Sequence, residues 1–80
     1  MEIKVLGPVS LNCQKMEEMV KVAVKELGIE ATLVKITDIG EIVQYNILTT
    51  PKLIVNGKVK HSGKILPDMD RLKDLIKSEL

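Results

Sequence analysis

The sequence predicts an α/β domain built in the order β-α-β-α-β-β-α. Three observations carry this reading. Short apolar-rich runs at 3–6, 31–36 and 53–55 are each followed by turn residues: Gly7-Pro8, Thr37-Asp38 and Asn56-Gly57. Two longer stretches place apolar residues three and four apart, the spacing of one helix face. Asn56-Gly57 itself separates two alternating runs, which is the strongest short-range signal for a β-hairpin.

Ile3-Lys4-Val5-Leu6 is the first strand, closed by Gly7-Pro8. A helix follows from about Asn12 to Leu27, with Met16, Val20, Ala23, Val24 and Leu27 on its apolar stripe. Glu17 and Lys21 stand four apart in the favourable order on its outer side, and Gly28 suits the residue that ends it. Ala31 to Ile36 is the second strand, centred on Leu33 and Val34. A strand, a helix and a strand make a βαβ unit, so these two strands are expected to be parallel with a right-handed crossover. Thr37-Asp38 opens a shorter helix, about Ile39 to Tyr45, with Ile39, Ile42 and Val43 turned inward. Thr49-Thr50-Pro51 interrupts. Leu53-Ile54-Val55 and Lys58-Val59-Lys60-His61 then form the hairpin around a type I′ turn, and Ser62-Gly63 closes its second arm. Pro67-Asp68 starts a last helix, about Asp68 to Glu79, buried along Leu72, Leu75 and Ile76. No linker, repeat or low-complexity tract divides residues 1–80, which read as a single domain.

Composition narrows the function. The 12 basic and 11 acidic residues leave a net charge of +1, which offers no surplus for a nucleic acid or an anionic membrane. Tyr45 is the one aromatic residue, too little for a base-stacking surface. No apolar run approaches the ~20 residues that span a bilayer, and the first residues do not read as a secretory signal. A cytoplasmic location is the expectation. One cysteine and one histidine fall short of a zinc ligand set, so no metal and no cofactor are implied. Met16, Met19 and Met69 read as packing residues.

The chemistry converges on Ser10-Leu11-Asn12-Cys13. Cys13, the single cysteine, falls in the first turn of the first helix. Backbone N–H groups and the positive end of the helix dipole favour a thiolate there, the form that reacts. Ser10 makes the pattern Ser-x-x-Cys, which looks like a Cys-x-x-Cys redox motif with its first cysteine replaced.

With these residues in place, the whole chain resembles the minimal thioredoxin/glutaredoxin fold. It is most similar to the small redox-active disulfide proteins of archaea and bacteria. Val5-Leu6-Gly7, Cys13-Gln14-Lys15-Met16-Glu17-Glu18, Thr50-Pro51 followed by Lys52-Leu53-Ile54-Val55, Asn56-Gly57-Lys58 and Ser62-Gly63-Lys64 carry the resemblance. The resemblance implies a mixed four-stranded sheet in the order 2-1-3-4, with the third strand antiparallel to the first and helices on both faces. It implies thiol–disulfide oxidoreductase activity on a disulfide-containing protein or a small thiol. Ser10 falls where the attacking cysteine stands and Cys13 where the resolving cysteine stands. Pro51 falls on a cis-proline facing the motif, and Thr50 on the residue whose backbone would pair with an extended peptide. The departure at Ser10 matters, because a hydroxyl cannot exchange with a disulfide. Two-cysteine turnover is therefore not expected.

Each residue also has a plainer reading. Cys13 is a reactive thiol or a small buried hydrophobe. Ser10 marks the place of a nucleophile, caps the helix, or does both; its presence is natural or a deliberate Cys→Ser replacement. His61 reads as a solvated strand residue, and no charged residue of the first strand other than Lys4 lies beneath the motif. The alternative to an oxidoreductase is a non-catalytic module that binds an extended peptide or partner protein around Thr50-Pro51. The oligomeric state stays open; with one cysteine, any disulfide is intermolecular through Cys13.

Overall fold

The computed structural model describes residues 1–8, 10–44 and 50–80, with Ile39 described by its backbone alone. The elements are β1 (Glu2–Leu6), α1 (Leu11–Leu27), β2 (Thr32–Ile36), α2 (Ile39–Gln44), β3 (Lys52–Val55), β4 (Lys58–Ser62) and α3 (Met69–Lys77). The sheet order is β2-β1-β3-β4. β1 and β2 are parallel, from Glu2 beside Thr32 to Leu6 beside Ile36. β3 lies antiparallel to β1, with Ile3 opposite Val55 and Leu6 opposite Lys52. The mixed sheet expected from the βαβ half and the hairpin is thus the one observed.

The period of two along the central strands divides the core. Ile3, Val5, Leu53 and Val55 face one side and pack with Met16, Val20 and Ala23 of α1 and Leu72 and Ile76 of α3. Leu6 and Ile54 face the other side and pack with Ile36 and Ile42 of α2. Full burial of each such aliphatic side chain is worth about 1.5–3 kcal/mol relative to exposure. α1 ends where Gly28, at φ 66°, lets its N–H and that of Ile29 reach the carbonyls of Lys25 and Val24. Asp38 caps α2 through the Gly40 N–H at 3.1 Å, and Asp68 caps α3 through the Arg71 N–H at 2.8 Å.

Some expectations need correction. Val43 is 62% exposed, not turned inward; successive helical residues point about 100° apart, and Ile42 takes the inward direction of this short helix. Leu75 is half-buried beside fully buried Leu72 and Ile76. The hairpin is irregular: the register shifts between Leu53, opposite His61, and Ile54, opposite Val59, leaving Lys60 as the extra residue of a bulge. Tyr45, placed at the end of the second helix, and Thr49 lie outside the described residues, as does the Ile39 side chain.

The hairpin turn does more than reverse the chain. Asn56 and Gly57 both have positive φ, 50° and 82°, as a type I′ turn requires. The Asn56 side chain accepts the Glu2 N–H at 2.9 Å and donates to the Glu79 carbonyl at 3.3 Å. Glu79 in turn receives Lys60 at 2.7 Å and Lys58 at 3.4 Å. The turn, the start of β1 and the end of the chain are therefore clasped together. Lys60 chiefly, with Lys58, holds the Glu79 carboxyl below the usual glutamate range, against the opposing effect of partial burial.

Two predictions follow from the clasp. Asn56→Gly keeps the positive φ and loses the side-chain hydrogen bonds, so it is expected to cost about 1 kcal/mol in urea unfolding. Asn56→Ala also incurs the left-handed backbone cost and is expected to lose roughly 2–3 kcal/mol. Because Glu79 is more acidic when folded, its stabilisation is present above the unfolded glutamate pKa of about 4.3 and is lost as pH falls through the lower folded value. Unfolding midpoints measured down a pH series should fall more gently in Glu79→Gln than in the native chain.

Candidate functional site

The C-terminal end of β1, the first turn of α1 and the N-terminal end of β3 meet around one sulfur. Leu6 is the last residue of β1, and the Gly7 N–H extends the parallel ladder to the Ile36 carbonyl at 2.9 Å. Ser10 then takes an extended backbone, φ −150° and ψ 163°. Its Oγ accepts the Cys13 N–H at 3.2 Å, and its carbonyl accepts the Gln14 N–H at 3.0 Å. Ser10 is thus the N-cap of α1.

The cap sets where Cys13 points. Cys13 continues the buried stripe of α1 through Met16, Val20 and Ala23, and it is 1% exposed. The sulfur fills the space beside Gly7. A Cβ added to residue 7 would overlap Cys13 Sγ, while Thr50 Cβ would lie 3.4 Å from that same point. Gly7, Cys13 and Thr50 therefore share one small volume. The sequence reading took Gly7 as a strand terminator; the space taken by the thiol is a second reason for glycine, and it becomes visible only once β1 and α1 are placed.

The peptide bond between Thr50 and Pro51 is cis, and Pro51 is fully buried. The Pro51 carbonyl accepts the Gly63 N–H at 3.1 Å, and Gly63 has φ 118°. His61 is half-buried, not the solvated strand residue expected from the sequence, and its Nε2–H donates to the Gly63 carbonyl at 3.2 Å. His61 thus braces the strand end that holds Pro51. No spacing signal in the sequence marks that role, which depends on β3 and β4 being paired. Ser10 and Cys13 are joined by the cap, and Cys13 and Thr50 by their common contact at Gly7.

The electrostatics near the thiol come from α1 and β2. Glu17, one turn beyond Cys13, meets Lys35 of β2 at 2.9 Å and Lys21 at 3.4 Å. Lys35 holds the Glu17 carboxyl below its usual range; partial burial acts in the opposite sense, and Lys21 reinforces Lys35. Among the described residues no charged side chain is fully buried, and no group of His, Cys, Asp and Glu is arranged to hold a metal ion. No described helix is long and apolar enough to cross a membrane.

A β2-β1-β3-β4 sheet with a first-helix thiol beside a cis-proline strand defines a thioredoxin-like domain. The thioredoxin domain family matches residues 1–77, and the chain belongs to that family. Two archaeal relatives agree. The chain is 37% identical over 78 residues to a thioredoxin of Methanocaldococcus jannaschii, a match covering 98% of this chain and 88% of that protein. It is 37% identical over 65 residues to a thioredoxin of Methanothermobacter thermautotrophicus, covering 81% of this chain and 84% of the relative.

The shared volume at Gly7 gives a test. Gly7→Ala is expected to destabilise by about 1–3 kcal/mol through overpacking and to speed alkylation of the displaced thiol. In a Cys13→Ala background the same substitution should cost much less, because the sulfur is gone. A double-mutant cycle in urea that showed simple additivity would contradict the contact.

Proposed function

We propose that this domain is of the thiol–disulfide oxidoreductase type and that its chemistry is centred on residues 10 and 13. Cys13 supplies the resolving-position thiol, and Ser10 occupies the place of the attacking cysteine. Thr50 and Pro51 offer the backbone edge along which an extended peptide would lie. The domain comprises residues 1–80, works in the cytoplasm, and takes a disulfide-containing protein or small thiol as its partner. The native chain does not complete two-cysteine turnover.

The observation that supports this reading is the Ser10 Oγ to Cys13 N–H bond, which joins the two motif positions across the first turn of α1. Residues three apart in a helix have Cα atoms ~5 Å apart from helix geometry, inside the 4.4–6.8 Å range that a disulfide spans. A cysteine at position 10 would attack one sulfur of a substrate disulfide as a thiolate and release the other sulfur as a thiolate. The Cys13 thiolate would then attack the mixed disulfide. The substrate leaves as a dithiol, and a 10–13 disulfide holds the two electrons' worth of oxidation.

Burial of Cys13 at 1% exposure favours a second reading, in which the Ser10 form is a binding module whose thiol is structural. One pair of measurements separates the two. Ser10→Cys is expected to form the internal disulfide on mild oxidation, read as the loss of both free thiols, and to reduce a small aromatic disulfide in the presence of a dithiol reductant. The native chain should remain at solution background. A Ser10→Cys protein that folds, forms no internal disulfide and shows no reduction would leave the binding reading alone.

A further inference from the structure

Several lysines at the site end of the sheet have no ion-pair partner among the described residues. Lys4, Lys21, Lys35, Lys58, Lys60, Lys73 and Lys77 each lie within 4.0 Å of a carboxylate. Lys15, Lys25, Lys52, Lys64 and Arg71 have no carboxylate at that distance among the described residues. Lys15, Lys52 and Lys64 belong to segments that border the thiol, whereas Lys25 lies in the last turn of α1 and Arg71 in α3. Lys15 is exposed in the first two turns of α1. Lys52 follows Pro51 and is half-buried beside Leu6. Lys64 is exposed next to Gly63, whose N–H is bonded to Pro51. Lys52 and Lys64 have no Asp or Glu within three residues, whereas Glu17 and Glu18 follow Lys15 and Glu18 lines the same groove as Leu11 and Lys15. At this end of the sheet the nearest acid in sequence to a strand terminus is Asp38, on the β2 side, where its carboxylate is taken up by the Gly40 N–H. Two large apolar side chains flank the same lysines and are open to solvent: Leu11 at 80% and Ile65 at 88% exposure.

Uncompensated lysines raise the local concentration of anionic partners and penalise cationic ones. Exposed aliphatic side chains beside them suit a partner that is not purely polar. Resting on the oxidoreductase reading above, we infer that the mouth of the site selects extended protein segments that carry Asp or Glu next to an apolar residue. Lys64 and Lys52 receive the carboxylates on the β3–β4 side, and Leu11 and Ile65 give the apolar contacts. Lys64 is the clearest determinant, since it is exposed and lies outside the residues that hold Ser10, Cys13 or Pro51.

The test uses peptide disulfides identical except for Asp, Asn or Lys flanking the cysteine, presented to the Ser10→Cys protein. The Asp peptide should react fastest and the Lys peptide slowest, by roughly tenfold at low ionic strength. The spread should shrink in high salt. Lys64→Glu should narrow or reverse the order while leaving the Asn peptide unchanged. Equal rates for all three peptides would overturn this inference and leave the oxidoreductase reading intact. A second measurement does not depend on turnover: a disulfide-free Asp peptide added to the native chain should shift the amide resonances of Gly7, Thr50 and Gly63, and a Lys peptide should not. Reaction with none of the peptides together with these shifts would refute the oxidoreductase reading alone. Absence of both reaction and shifts would refute both.

Discussion

The site rests on a steric constraint: the sulfur of Cys13 takes the volume that a side chain at Gly7 would need. That contact fixes the start of α1 over the end of β1. It also sets the depth at which Thr50 can approach, because Thr50 faces the same volume. Residues of segments distant in sequence border that one volume, and close-packed interiors give little room to relax. The thiol is therefore a packing group in the native state. A domain of 80 residues has few core side chains to spare, so using one of them at the site ties reactivity to stability.

Position 10 shows the same coupling from the other side. The Ser10 hydroxyl oxygen satisfies the Cys13 N–H, one of the backbone donors that a helix start otherwise leaves without a partner. Replacing such a cap by a residue that cannot serve costs about 0.5–2 kcal/mol. Sulfur is a weaker acceptor than oxygen, so a cysteine at this position would gain nucleophilic chemistry and lose part of the cap. The serine form sits at the stable end of that exchange, consistent with the common opposition between active-site chemistry and stability.

Much of the fold was legible because its determinants are local. The stripe Met16, Val20, Ala23, the caps at Asp38 and Asp68, and the Asn56-Gly57 turn each follow from spacing or from backbone conformation within a few residues. The candidate site was read on a different ground: Ser10-Leu11-Asn12-Cys13 and Thr50-Pro51 resemble the pattern of the thioredoxin domain family, to which the chain belongs. What escaped the sequence depends on pairing between distant elements. The brace from His61 to Gly63 exists because β4 returns beside β3. The outward turn of Val43 depends on where α2 sits over Ile36 and Ile54. The occupied space beside Gly7 requires both β1 and α1 to be in place, so a glycine read as punctuation proved to be a packing position.

The two ends of the sheet meet opposite needs with similar residues. At the hairpin turn, Lys58 and Lys60 converge on Glu79 while Asn56 ties the chain end to β1, so charge and hydrogen bonding are consumed internally. At the thiol end, backbone and side-chain polar groups are likewise used within the chain: Ser10 on the helix start, Pro51 on Gly63, His61 on Gly63. Lys52 and Lys64 are the exception there, since neither has an Asp or Glu within three residues. Surface ion pairs are worth little individually, so stability alone gives weak reason to pair those lysines. Leaving Lys52 and Lys64 without an acid at that end therefore costs the fold little.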